Sequence, residues 1–307
     1  MRSAALALVP CVVACGRIAF DPTALEADGR GPPPVPIALA TGQGDLRQVL
    51  VDGEFVYWAG PDSIRRVAKT GGTPETIATF NGTGFRMAAV AGYLYWVTRD
   101  TGLVARAPML PGSTVETIAT GQGDVGGIAS DGVTVYWDNY PTAGNIFAKR
   151  VGSATQTALL PTPIDKLTGI RLVGSSLFFL TETGGLFRVP VTGGAPETIV
   201  PDIGTFELAV DGDDVFLANA TFDKILRASI ANKTAVDVAV ADGPWGIVVD
   251  ATHVYYANES GGTIARAPRT GGAPEILATA DTPVGIAVDA TTVYWTTRTG
   301  EVGAVAK

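Results

Sequence analysis

A hairpin ending in an aromatic or large apolar pair recurs seven times along this 307-residue chain, and no other feature restricts its fold so severely. The copies span 52–58 (DGEFVYW), 91–96 (AGYLYW), 131–137 (DGVTVYW), 174–179 (GSSLFF), 211–217 (DGDDVFL), 250–256 (DATHVYY) and 289–295 (DATTVYW). Their first aromatics are Tyr57, Tyr95, Tyr136, Phe178, Phe216, Tyr255 and Tyr294, at steps of 38, 41, 42, 38, 39 and 39 residues. In 263–295 the complete unit reads TIARAP, a Gly-Gly turn, EILAT, a loop, GIAVD, a tight turn and VYW. Short runs rich in Val, Ile and aromatics, bounded by Gly, Pro and Asp, read as β-strands. Four strands in a period near 40 residues predict a β-propeller. Helical repeats share the period but need apolar residues at i, i+3 and i+4, which these Gly-studded units lack.

The ends of the chain test ring closure. We name the strands A (GIAVD), B (VYW), C (IARAP) and D (EILAT) from the inside outward. Six hairpins are followed by both C and D, whereas the seventh is followed only by 301–307, a C strand. A D-like segment stands instead near the N-terminus: 36–41 (PIALAT) precedes GQGD, as 117–120 (TIAT) precedes a second GQGD. The expected fold is all-β, a seven-bladed propeller of four-stranded blades closed by the N-terminal strand (about 36–41) joining the last blade. Closure removes the sheet edges that an open stack would expose.

The repeat occupies 35–307, read as one domain. Hydrophobic content of 46% against 17% charged residues suits sheets packed on both faces. A net charge of −8 without Lys/Arg clusters argues against a nucleic-acid partner. Residues 1–14 carry one basic residue, Arg2, and an apolar run to Val13, the pattern of a secretory signal too short to span a bilayer. The sequence Val12-Val13-Ala14-Cys15 resembles the bacterial lipobox, which implies removal of 1–14 and acylation of Cys15. Gly16 stands where Asp usually marks inner-membrane retention, so the expected address is the outer membrane. Residues 15–34, with a Pro/Gly-rich end, then form a lipidated Cys and flexible tether. Cys11 and Cys15 are the only cysteines, so the processed chain has no thiol to pair within the fold.

The repeat unit resembles the YWTD propellers of low-density-lipoprotein receptors in its Ile-x-Arg-Ala C strand, Gly-Ile-Ala-Val-Asp A strand and Tyr-Trp B strand, best at 264–268 and 285–296. The family's motif continues to an Asp; here Ala59, Val97, Asp138 and Thr296 follow the Trp, and the count is seven rather than six. NHL-type and virginiamycin B lyase propellers are similar at the same level. The resemblance implies fold, and function does not travel with fold.

Candidate chemistry is sparse. The aromatic pairs are read as core, since neighbouring strand residues face opposite sides of a packed sheet. The C-strand arginines Arg66, Arg106, Arg188, Arg227 and Arg266 repeat around the ring, which favours a structural bond to backbone or to an A-strand acid such as Asp52, Asp211 or Asp250. His253 is the only histidine, and no nucleophile–base arrangement, HExxH or phosphate loop can be built around it.

One pattern remains. Every B–C loop contains an acid (Asp62, Asp100, Asp138, Glu182, Asp223, Glu259, Glu301), and six D–A loops do so as well (Asp45, Asp124, Asp165, Asp202, Asp242, Asp281). Strand alternation places both loop sets at one end of the ring, with Trp245 and Phe206 beside them. This face is expected to be an acidic funnel for a basic partner or a hard cation such as Ca²⁺ or Mg²⁺. Arg99, Lys166, Lys224 and Arg298 dilute its field.

The resulting reading is a monomeric, exported binding or scaffold module, anchored to the membrane by lipid alone at a bacterial envelope, without a required cofactor. It docks a protein or peptide through the acidic face. The rival is a metal-dependent hydrolase or lyase of the gluconolactonase-like propeller type, which needs several carboxylates to converge on one divalent cation. A third reading is an exported structural protein without a discrete ligand.

Overall fold

Each aromatic pair sends its two rings into different inter-blade layers, and this division builds the core. Tyr57 packs with Leu94 and Trp96 of the following sheet, whereas Trp58 packs with Leu39, Tyr294 and Val302 of the preceding one. Tyr95 and Trp96, then Tyr136 and Trp137, repeat the split. Trp58, Trp96, Trp137 and Trp295 are no more than 1% exposed. They are core, as alternation requires.

This arrangement comes from a computed structural model that describes residues 34–140, 144–182, 184–203 and 207–307. The signal segment, Cys15, nearly all of the tether and Phe206 lie outside the described residues. Seven four-stranded antiparallel sheets each run A-B-C-D. The A strands are Val49–Asp52, Gly84–Val90, Ile128–Ser130, Leu167–Val173, Glu207–Asp211, Pro244–Val249 and Pro283–Val288, in blades 1 to 7. In blade 7 the D strand is Ile37–Ala40, which pairs antiparallel with Val302–Ala306 through Ile37↔Ala304 and Ala40↔Val302. The N-terminal strand closes the ring as expected. Among the described residues no helix is long and apolar enough to cross a membrane.

At the A–B turns, repeated acids have a structural task. Asp289 accepts the backbone N–H groups of Thr291 and Thr292 (3.0 and 2.9 Å) and the Tyr294 hydroxyl (2.9 Å). Lys69 of the adjoining blade approaches it at 2.8 Å. Asp250 repeats the design with Thr252, His253, Tyr255 and Lys307. His253 is thereby a turn residue, its Nδ1 2.8 Å from the Thr252 hydroxyl. The C-strand arginines meet expectation only in part: Arg66 donates to the Met109 carbonyl of the next blade at 3.0 Å, but the acids they pair with are not those of the A strands. Four pair within their own blade with a glutamate at the start of the D strand: Arg66–Glu75, Arg106–Glu116, Arg188–Glu197 and Arg266–Glu275. The cause is antiparallel register, which sets each Arg directly opposite its Glu.

Candidate functional site at the loop face

All A strands start at the end of the ring where the B–C and D–A loops lie, because A leaves that end, B returns to it, C leaves and D returns. In four blades the A–B register slips close to this start, between Gly84 and Arg86, Thr168 and Ile170, Pro244 and Ile247, and Pro283 and Gly285. A bulge frees a residue from the ladder and re-aims its side chain. Phe85 and Trp245 are freed in this way, and both line a cavity of about 230 Å³.

Charged and aromatic groups of blades 2, 3, 4 and 6 meet around that cavity. The Arg99 guanidinium lies 5.1 Å from the Phe85 ring centre and 5.6 Å from that of Tyr140, and its Nε donates to Asp124 at 2.8 Å. The Tyr140 hydroxyl donates to Glu182 at 2.9 Å, and Lys166 pairs with the same carboxylate at 2.7 Å. The Lys166 and Tyr140 bonds hold Glu182 below the usual carboxylate range. Gly126 and Gly169 contribute backbone alone to the wall.

Arg86 lines the cavity and is only 6% exposed. Its Nη1 lies 2.5 Å from Oε2 of Glu207, which reaches across from blade 5. Arg171 of blade 4 donates to the other oxygen of Glu207. Two guanidiniums thus share one buried carboxylate. The Arg86–Glu207 approach is a charge contact without hydrogen-bond alignment, since Oε2 lacks an aligned partner; the Arg86 Nε is separately unpartnered. Burial pushes the Arg86 pKa down and the Glu207 charge opposes that shift. Arg171 also lines a second cavity of about 520 Å³, of mixed polar and apolar lining, to which all seven A strands contribute, so the ion triad reaches from the mouth to the central channel.

Asp138 takes a different place from its expected partners. It is 0% exposed, and its Oδ1 accepts the backbone N–H groups of Gly126 and Gly127 at 2.8 and 2.9 Å. Burial raises its pKa to about 7, against the lowering effect of those two bonds and of Arg86. Its role is to hold the backbone that forms one wall of the cavity.

The remaining sequence candidates are distributed around the face. Asp124, Glu182 and Trp245 meet at the cavity. Glu259 pairs with Arg298, whose guanidinium lies 5.5 Å from the Trp245 ring centre. Asp100 accepts the Thr83 N–H (2.8 Å) and Asp223 the Gly243 N–H (2.9 Å), so both fasten neighbouring loops. Asp62 is exposed and accepts the Ser63 hydroxyl, and Glu301 is half-buried beside Thr297. Asp165, Asp242 and Asp281 are exposed. The diluting cations prove to be specific partners: Arg99, Lys166 and Arg298 each neutralise a loop acid, and Lys224 pairs with Asp237 on a D strand. Among the described residues no three His, Cys, Asp or Glu side chains gather where a metal could be shared.

Arg86, Arg171, Glu207, Phe85 and Tyr140 were not among the sequence candidates. A signal for two of them existed. The residue nine positions before each blade's first aromatic is Gly in four blades (Gly127, Gly169, Gly246, Gly285) and Gln48, Arg86 or Glu207 in the others. Charges at a position that is Gly in four blades and uncharged Gln in a fifth mark a channel pair.

No family model matches the chain, and no curated protein matches it. Among solved structures, virginiamycin B lyase from Staphylococcus aureus superposes with a TM-score of 0.74 at 13% identity, over 89% of this chain and 99% of that one. The WD40 β-propeller domain of Doa1 gives 0.71 at 12% identity, over 89% and 96%. A chain of the nidogen/laminin complex gives 0.63 at 16% identity, over 75% and 94%. At these identities the likeness is one of fold, so the conclusion closed by the comparisons is a propeller architecture.

Proposed function

We propose that this chain is an exported propeller, anchored at the bacterial envelope through Cys15, that docks a protein or peptide partner on its loop face. The observation that carries the reading is the convergence of charged and aromatic side chains from four blades on one loop-face cavity. Around it the face is mixed: exposed Asp62, Asp100, Asp242 and Asp281 alternate with ion pairs, and Phe222 is 62% exposed. Aromatic anchors within a polar rim are what docking surfaces offer. The loop acids are dispersed, and those at the mouth are already paired with cations or backbone, an arrangement that suits a rim better than a metal cage. A chain of this architecture was solved within the nidogen/laminin complex, a precedent for a propeller in a protein assembly.

Photo-crosslinking side chains placed in living cells at Asp242 and Asp281 on the loop face, and at Thr70 and Thr291 on the opposite face, test the reading. Adducts from the loop positions alone are expected; adducts from the opposite face alone, or equally from both, overturn it. Cys15→Ser is expected to move the protein out of the membrane fraction. Added Ca²⁺ or Mg²⁺ is expected to leave the melting temperature unmoved, because only ligands that bind the folded state raise it. A clear rise reversed by EDTA would put the metal-dependent enzyme first.

A further inference from the structure

We propose that the loop-face cavity takes a carboxylate joined to a single aromatic ring, with the carboxylate on Arg86 and the ring among Phe85, Tyr140 and Trp245. The inference rests on the loop face being the docking face and names the chemistry that its cavity recognises.

Charge balance is the first argument. Arg86 and Arg171 share Glu207 alone, so the triad carries one positive charge in excess, with its Arg86 end at this cavity and its Arg171 end at the central one. The neighbouring pairs, Arg99 with Asp124 and Lys166 with Glu182, cancel themselves. Asp138, the other acid close to Arg86, has its pKa raised by burial and so offsets this charge weakly. A buried charge without full compensation is costly, and a monoanionic ligand supplies the compensation. A cation would meet the guanidinium of Arg86 at the floor and is disfavoured.

Hydrogen bonding is the second and independent argument. The Arg86 Nε is buried without a partner, although Arg86 lines the cavity. Buried donors are satisfied in nearly all folded proteins, so an unmet donor beside a cavity points to an absent acceptor. Carboxylates suit guanidinium geometry well.

The walls complete the description. Two of the three aromatics are bulge residues that line the mouth, and Gly126 and Gly169 add backbone to its wall. A volume of about 230 Å³ accommodates one ring and its carboxylate rather than an extended polymer. The same chemistry is presented by a free aromatic acid and by the C-terminal aromatic residue of a polypeptide.

Calorimetric titration of the full-length protein distinguishes these. The probes are 3-phenylpropionate, its uncharged amide, and a short Gly-rich peptide ending in Phe with a free or amidated C-terminus. The acid is expected to bind at least about tenfold more tightly than the amide, the scale of one charge-assisted hydrogen bond. Trp245→Ala should weaken the acid several-fold without affecting folding. Arg86→Met alone risks misfolding because it strands Glu207, so Arg86→Met is combined with Glu207→Gln; this variant should unfold cooperatively and lose the preference for acid over amide. Equal affinity for acid and amide, no binding of either, or undiminished preference in the double variant overturns the proposal. Tighter binding of the free-carboxylate peptide than of phenylpropionate identifies a polypeptide terminus as the source, and the reverse identifies a small acid. Loop-face crosslinks without acid binding would overturn only this inference; acid binding without loop-face crosslinks would overturn only the docking reading.

Discussion

Acids at the two ends of the ring are of the same residue types and in similar loops, yet they do opposite things. At the A–B turns, Asp250 and Asp289 repeat one arrangement: two backbone N–H groups, a tyrosine hydroxyl and a lysine from another blade. These bonds pull both carboxyls well below the usual range, against the opposing effect of partial burial. At the loop face three acids stand in three different environments. Asp138 is buried with a raised pKa, Glu182 is doubly paired, and Glu207 bridges two arginines inside the channel. Repetition around the ring marks structure, because equivalent turns in blades 6 and 7 are secured in the same way. Departure from the repeat marks the positions where the ring has been adapted to a task.

Acid and alkali should therefore act on different ends, and the largest expected effect is at Asp138. Its pKa is about 7 in the folded chain, above its ordinary value near 4, so the folded state holds this proton more tightly than the unfolded state. The stability it contributes is complete below about pH 4 and is lost as pH rises toward 7, amounting to about 4 kcal/mol at 1.36 kcal/mol per unit. Arg86 and Asp124 are the charged groups nearest in effect, acting with opposite signs. Denaturant unfolding of the native chain and of Asp138→Asn from pH 4.5 to 8.5 measures this. The difference between the two curves should slope across that window; parallel curves would remove Asp138 from the exceptional class.

Next in size is the channel. Arg86→Met leaves the buried Glu207 with Arg171 alone and should cost about 3 kcal/mol, the lower end of the range for breaking a buried pair. Adding Glu207→Gln should recover part of that loss, since the charge then left without its partner is Arg171, 31% exposed, rather than Glu207, 3% exposed. Failure of the second substitution to rescue would mean that Arg86 stabilises the fold through packing.

How far the fold could be read in the sequence follows from the same contrast. The seven hairpins, the closing strand and the burial of Trp58, Trp96, Trp137 and Trp295 were all legible, since each blade repeats the same alternation. The site was legible only in part. Asp124, Glu182 and Trp245 were recognised as loop-face residues, but the view of that face as an acidic funnel diluted by four loop cations overlooked Arg86 and Arg171, which lie within strands. Facing the axis is a property of the ring, so Arg86 in blade 2 and Glu207 in blade 5 become partners only once five blades are in place. The bulges that turn Phe85 and Trp245 outward likewise depend on register, which a local pattern does not specify. The D-strand glutamates opposite the C-strand arginines were missed for a simpler reason: Glu75, Glu116, Glu197 and Glu275 recur before a Thr or Ile and read as ordinary strand starts.

Asp289→Asn tests the repeated class directly. It keeps the size of the side chain but removes the charge that accepts two N–H groups and a hydroxyl and attracts Lys69, which should cost about 2 kcal/mol at neutral pH. Because the folded pKa is depressed, the native advantage is present above about pH 4 and disappears as pH falls below it. The two profiles should thus converge in acid, the mirror image of Asp138. Convergence in alkali instead would abolish the distinction between the two ends.

The smallest effect is expected from the pairs that recur most often. In Arg266–Glu275 the arginine is mostly covered but the glutamate side chain is 58% exposed. Solvent screens such a pair, and holding two long side chains in one geometry costs entropy, so Glu275→Gln should change stability by less than about 1 kcal/mol. The same substitution at Glu75, whose partner Arg66 also donates to the Met109 carbonyl of the next blade at 3.0 Å, should be equally mild because that second bond survives. Unfolding measurements on both variants in low and high salt decide the matter. A loss of several kcal/mol at either position, persisting in high salt, would show that a repeated surface charge can carry as much of the ring's stability as an exceptional buried one, and frequency would no longer separate scaffold from site.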